Sequence, residues 1–181
     1  MSIRNKFLIP LTMGVSLFFV SCISYEKKLL EEIQEHPIVF PEELSAISYK
    51  DSLEFASVFE SGAKLVIYVD SSECNSCFIG HLYKYAMVQS RLPDCRVMVI
   101  VSPSETEKAQ VVHQLAHLAI DIPVFLDEKH NFRHANPYIP DDRRYQSFFL
   151  DKGNTPFIVG DPLYYPKLIQ LYLKEREMLA K

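Results

Sequence analysis

The chain of 181 residues carries a formal net charge of −4, with 48% apolar and 23% charged side chains, 11 prolines, 5 glycines and no tryptophan. That composition suits one compact domain and excludes collagen-like, low-complexity and wholly disordered chains. The acidic balance argues against a nucleic-acid partner, which needs clustered Lys and Arg. Four cysteines are too few for a disulfide scaffold, so their spacing carries the information.

Arg4 and Lys6 precede an apolar run from Phe7 to Val20, interrupted by Pro10, Thr12, Gly14 and Ser16. The run is shorter than the roughly 20 residues a bilayer-spanning helix needs. A basic start, a short apolar core and a small residue at its end read as an export signal. The run closes as Phe19-Val20-Ser21-Cys22, which resembles a bacterial lipobox, with Phe19 where Leu is more usual. The resemblance implies cleavage before Cys22 and acylation of Cys22 as the membrane attachment. An ordinary cleaved signal, or an N-terminal anchor with a chance cysteine, is the alternative. The expected organisation is a signal peptide over 1–21, a lipid-anchored tether and linker over 22–50, and a folded domain over 51–181. Loss of Arg4 and Lys6 with the signal leaves no polybasic patch to hold an anionic membrane. Ile23, which is not an acidic retention residue, favours a periplasm-facing place in the cell envelope, on the outer membrane of a Gram-negative bacterium. Disulfides persist in such a compartment.

Residues 23–35 carry Leu29, Leu30 and Ile33 among charged residues, giving a short one-faced helix or a solvated tether. Pro37 and Pro41 bracket Ile38-Val39-Phe40, an edge strand or extended linker. A helix is expected over 51–60, ended by Ser61-Gly62. Leu65-Val66-Ile67-Tyr68-Val69 is a continuous apolar run, as a central strand covered on both faces requires. After Asp70-Ser71-Ser72-Glu73 comes Cys74-Asn75-Ser76-Cys77, which opens a helical pattern through Ile79, Leu82, Tyr83, Ala86 and Met87. Val97 to Val101 is a second continuous strand, 105–119 a helix, and Ile122 to Leu126 a short strand. Asn131 to Arg144 reads as a loop. Ser147 to Leu150 and Phe157 to Val159, joined by Asp151-Lys152-Gly153-Asn154, read as a hairpin. A last helix starts at Pro166, with Leu168, Leu171, Tyr172 and Leu173 inward. Strands alternating with helices and closing on a hairpin imply an α/β fold with a mixed sheet and helices on both faces.

The position of the Cys-x-x-Cys pair is more informative than its spacing alone, because it sits between a buried strand and a helix start. Residues three apart on a helical turn are neighbours, so the sulfurs of Cys74 and Cys77 can close a small ring. Unpaired N–H groups at the helix start favour a thiolate on Cys74, and the thiolate is the attacking species in disulfide exchange. Cys74 is the candidate nucleophile and Cys77 the candidate resolving cysteine. A purely structural staple is the competing reading, but a bridge across so small a loop restrains few unfolded conformations.

From about residue 51 to 181 the order of these elements resembles the thioredoxin-like fold, in its TlpA-like and peroxiredoxin-related redoxin branch. The residues that carry the resemblance are Leu65 to Val69, the Cys74-Asn75-Ser76-Cys77 turn, Val97 to Val101, and Pro123-Val124-Phe125-Leu126-Asp127. The closing Ser147-Phe148-Phe149-Leu150-Asp151-Lys152-Gly153-Asn154 completes it. The resemblance implies a three-layer α/β/α sandwich, a redox-active Cys74 and Cys77, protein thiols or disulfides as substrates, a separate redox partner and no bound cofactor. The family's cis-proline, which docks substrates before the penultimate strand, would fall at Tyr145 or Gln146; its absence weakens docking and leaves the dithiol more open to metals. Tyr68 stands where thioredoxins proper bury an acid, so proton transfer to Cys77 needs another group. Glu73 stands where Trp is common, and its charge opposes a thiolate beside it.

Cys95 reads as a buried, inert thiol. His113 and His117 are spaced for a metal on one helix face but point away from the apolar face, so no metal site is expected. His81, Arg143, Arg144 and the loop tyrosines Tyr138, Tyr145, Tyr164 and Tyr165 read as surface groups. The expected function is a membrane-anchored extracytoplasmic thiol–disulfide oxidoreductase. Two alternatives stand beside it: a peroxiredoxin-like peroxidase, for which Ser71 fits the hydroxyl position but Ile67 replaces a proline, and a non-catalytic binding lipoprotein.

Overall fold

The computed structural model describes residues 25–48, 59, 62–72 and 74–179. Six strands form one mixed sheet: β1 (Ser45–Ser48), β2 (Ala63–Val69), β3 (Cys95–Val101), β4 (Val124–Leu126), β5 (Ser147–Leu150) and β6 (Pro156–Val159), in the order β1-β4-β3-β2-β5-β6. β2, β3 and β4 run parallel, while β5 is antiparallel to β2, β6 to β5 and β1 to β4. The helices are α1 (25–35), α2 (Asn75–Ile79), α3 (Leu82–Gln89), α4 (Lys108–Ala116), α5 (Asn131–Ala135) and α6 (Lys167–Leu179), with a 3-10 turn at Arg143–Tyr145. The inner order β3-β2-β5-β6, built as βαβ followed by a hairpin and a helix, is the thioredoxin-like arrangement. β4 and β1 extend it beyond β3.

Alternation along the strands divides the interior in two. Leu65, Ile67, Val69, Val97, Val99, Val101 and Phe149 pack with α2, α3, α4 and α6. Val66, Tyr68, Met98, Ile100, Phe125, Phe148 and Leu150 pack on the other face with Ile33 of α1 and Phe132 of α5. The sheet therefore lies between two helical layers, which makes the three-layer α/β/α sandwich.

Four stretches differ from the sequence reading. Residues 25–48, placed in the tether and linker, pack onto the domain: α1 is the one-faced helix expected over 23–35, with Ile33 0% exposed and Leu29 and Leu30 half-buried, Ile38 is 2% exposed, and β1 pairs with β4. Ile38-Val39-Phe40 joins no strand; the Ile38 N–H donates to the Asn154 carbonyl, and Val39 and Asn136 exchange two hydrogen bonds. The helix expected from Cys74 to Met87 is broken at Gly80–His81, because glycine stabilises a helix interior poorly. The expected loop over 131–144 contains α5, whose first turn is capped by Asp127: its carboxylate accepts the N–H groups of Asn131 and Phe132 at 2.8 and 2.9 Å. In α6, Ile169 and Tyr172 are buried and Leu168 and Leu173 pack half-buried against the same core, as expected of Leu168, Tyr172 and Leu173, whereas Leu171 is 40% exposed. The helix expected over 51–60 lies outside the described residues apart from Phe59, which is helical and buried.

Candidate active site

β2 ends at Val69, and the chain then turns under the control of Asp70. The Asp70 carboxylate, 8% exposed, accepts the N–H and the hydroxyl of Ser72 and the Nε2 of Gln146 at 2.9 Å. An acidic residue bonding to the backbone two positions on is an Asx turn, and it fixes the path into the next element. That path leads to Cys74, the N-cap residue of α2. Glu73 lies outside the described residues.

Cys74 and Cys77 are joined by a disulfide, with their Cα atoms 5.3 Å apart, and both residues are exposed. The Cys77 N–H points at the Cys74 sulfur, N to Sγ 3.3 Å, and the Phe78 N–H donates to the Cys74 carbonyl at 3.0 Å. A backbone donor aimed at a sulfur stabilises negative charge on that atom. The electrostatic contribution of the helix itself is confined to the five residues of α2.

The pair opens into a cleft of about 430 Å³ lined by Phe78, His81, Lys84, Tyr85, Arg143, Leu163 and Tyr164. The Arg143 guanidinium sits over the Phe78 ring at 5.6 Å and the Tyr164 ring at 5.1 Å, so this arginine forms a wall of the cleft. Arg144 turns away, to Asp142 and Glu26. Beneath the cleft the Tyr85 hydroxyl donates to Asp161, and burial raises the pKa of both groups above their ordinary values. Asp161 follows Gly160, where φ is +132° and a Cβ would come within 2.9 Å of Leu168, so only glycine lets the chain turn there.

Tyr145 and Gln146, the positions expected to dock a substrate, are buried, at 8% and 0% exposed. The Gln146 N–H donates to the Arg143 carbonyl and its own carbonyl accepts from the Tyr68 N–H at 2.9 Å, while Nε2 also reaches the carbonyls of Pro140 and Asp141. The Tyr145 N–H donates to Asp142 and its hydroxyl to Glu26. An extended substrate pairing with this backbone would therefore have to displace existing bonds.

Cys95 is buried, 3% exposed, and its thiol is pushed up to about 12 by burial. His113 and His117 are exposed with ring centroids 4.5 Å apart, and a His117 ring nitrogen bonds to the His113 carbonyl. Among the described residues no group of three or more His, Cys, Asp and Glu side chains is arranged to hold a metal, and no helix is long and apolar enough to cross a membrane. Ile67 lies mid-strand in β2 and is 2% exposed. Cys22 lies outside the described residues.

Sequence reading found the dithiol but missed the residues that shape its surroundings. Asp70 carried a signal in its Asp-x-Ser spacing, which suits an Asx turn. Tyr164 stands among the loop tyrosines already singled out, whereas Asp161 and Lys84 carry no signal, because only the fold brings them to the dithiol cleft.

The sheet order is that of a thioredoxin-like fold, with a bonded Cys-x-x-Cys beyond the end of β2. No protein-family model matches the chain, and neither does any curated protein. Among solved structures it is similar to a protein described as the thiol:disulfide interchange protein DsbE from Chlorobium tepidum, at 17% identity over 72% of this chain and 92% of that one, TM-score 0.46. It is also similar to AhpC of Mycobacterium tuberculosis, at 12% identity over 72% of this chain and 85% of that one, TM-score 0.40.

Proposed function

We propose that the protein is a thiol–disulfide oxidoreductase of the cell envelope, attached to the membrane through acyl chains on Cys22, which exchanges disulfides with protein substrates through Cys74 and Cys77. The observation that supports this reading is the exposed, bonded pair at the mouth of a cleft, with a backbone N–H directed at the Cys74 sulfur. In the reducing direction, the Cys74 thiolate attacks one sulfur of a substrate disulfide. A mixed disulfide forms and one substrate thiolate leaves to take up a proton from water. Cys77 then gives up its proton and attacks the Cys74 sulfur; the Cys74–Cys77 bond forms and the second substrate thiolate leaves to take up a proton. The substrate has gained two electrons and two protons, and a partner dithiol must supply them to restore the enzyme. Run backwards, the same steps oxidise a substrate dithiol.

The test is the Cys77→Ser chain, in which the second step cannot occur. A mixed disulfide between Cys74 and a disulfide-bearing protein, released by dithiothreitol, is the expected product. A Cys74 sulfenic acid formed with consumption of peroxide would instead make the chain a peroxidase. A Cys74 that yields neither product would leave only a binding protein.

A further inference from the structure

We infer that the dithiol-bearing end of the domain is the surface that faces the membrane, so that exchange takes place on thiols held at the bilayer surface. The inference deepens the proposed function; the orientation rests on its membrane attachment and not on its exchange chemistry.

The direction of α1 carries it. Near its start, Glu26 accepts hydrogen bonds from the Tyr145 hydroxyl at 2.9 Å and from Arg144 at 3.3 Å. Tyr145 ends the 3-10 turn that begins at Arg143, the residue that walls the dithiol cleft. Ser147 opens β5 opposite Ile67, and β5 runs antiparallel to β2, so this turn lies at the end of the sheet where β2 delivers Asp70 and Cys74. Near its finish, Gln34 donates to the Phe157 carbonyl, and beyond the helix Ile38 donates to the Asn154 carbonyl in the β5–β6 turn. That turn is at the opposite end, where Leu150 pairs with Lys64. α1 thus runs down the sheet from the dithiol end to the far end, and Ile33, 0% exposed, pins it there.

Whatever precedes Tyr25 therefore enters at the dithiol end. Only Ile23 and Ser24 lie between Cys22 and Tyr25, three residue steps that reach at most about 11 Å along the chain. Acyl chains on Cys22, or an uncleaved apolar run over Phe7–Val20, would both hold this end against the bilayer. The side chains there suit a headgroup region. Tyr25 and Tyr164 are 69% and 60% exposed, and Lys84 and Tyr164 both line the cleft. Tyrosine, apolar in its ring and polar at its tip, is a membrane-interface residue, and lysine reaches for anionic headgroups. The substrates that fit are disulfides in membrane-proximal segments of other membrane-bound proteins.

The experiment uses the full chain, purified from membranes with its anchor and placed in phosphatidylethanolamine–phosphatidylglycerol vesicles that carry a spin-labelled headgroup lipid. A fluorophore is attached either to Cys74 in the Cys77→Ser chain, or to position 152 in the Lys152→Cys chain lacking both active-site thiols. The expected result is several-fold stronger quenching at Cys74 than at position 152. Equal or reversed quenching overturns the inference, as does a chain that fails to float with the vesicles. Quenching does not depend on thiol exchange, so an inactive dithiol with this quenching pattern would sink the proposed function alone.

Discussion

The Tyr85 hydroxyl donates to the Asp161 carboxylate at 2.5 Å, linking α3 to the turn after β6 beneath the dithiol cleft. Tyr85 and Asp161 are 1% and 3% exposed, and the second carboxylate oxygen accepts the Leu163 N–H at 2.8 Å. Burial raises the Asp161 pKa, so the folded protein holds the protonated form more readily than the unfolded chain does. The sign follows: this group's contribution to stability is full below the ordinary carboxylate pKa and is lost as pH rises through the raised, folded value. In Asp161→Asn that dependence disappears. Urea midpoints measured from pH 4 to pH 8 should therefore favour the wild type most at the acid end, and the difference should move towards the variant as pH rises. Asp161→Ala, which leaves the buried Tyr85 hydroxyl without its acceptor, should cost about 1–3 kcal/mol by the same measurement.

Cys95 provides a control for all thiol chemistry on this chain. Its thiol is pushed up to about 12 by burial in β3. At pH 8 its thiolate fraction is then roughly a thousandfold or more below that of an exposed thiol. After reduction, iodoacetamide should modify Cys74 and Cys77 and leave Cys95 untouched until denaturant is added, as peptide mass spectrometry would show. Modification of native Cys95 at a rate comparable to Cys74 would contradict its burial.

Reducing the disulfide should cost the fold little. A loop this short contributes at most about 2 kcal/mol in the chain-entropy account. Truncating Leu65, 0% exposed in β2, to Ala should cost about 2–5 kcal/mol through lost burial and the cavity left behind. Urea midpoints with and without reductant, set beside Leu65→Ala, make the comparison. A dithiol whose reduction costs as much as Leu65→Ala would be a staple.

What was legible in the sequence follows the range of the interactions involved. β2 and β3 are continuous apolar runs because both faces of the sheet are covered, and that pattern is local. The dithiol was legible because a strand, a polar turn and Cys-x-x-Cys stand next to one another in the chain. The capping of α5 by Asp127 has local spacing, yet Pro137 and Pro140 nearby made the whole stretch read as loop. Lys64 inside β2 has no apolar pattern to follow; its Nζ donates to the Gly62 carbonyl at 3.1 Å, and it is 0% exposed. The cleft was not legible at all, because Cys74, Arg143 and Tyr164 come from three distant segments that only sheet pairing brings together. Nor could counting back from β5 show that the backbone of Gln146 is already bonded.

Gln146 therefore reads from its bonds as a structural residue of the site rather than an open docking position, and substitution can tell the two roles apart. Its Nε2 reaches Asp70 and the carbonyls of Pro140 and Asp141, tying the β2 exit to the segment before β5. Gln146→Ala leaves the buried Asp70 carboxylate short of a donor, at an expected cost of about 1–3 kcal/mol in urea unfolding. Because Asp70 also holds Ser72 on the path to Cys74, the variant should slow disulfide exchange through a misplaced Cys74, raising KM and lowering kcat together. Gln146→Glu, which places a second carboxylate beside Asp70, should be worse than Ala at neutral pH, because two like charges then share one buried site. Exchange rates and urea midpoints of the three chains at about pH 7.5 would show that order. A Gln146→Ala chain of wild-type stability whose KM alone changes would mean that this residue meets the substrate directly.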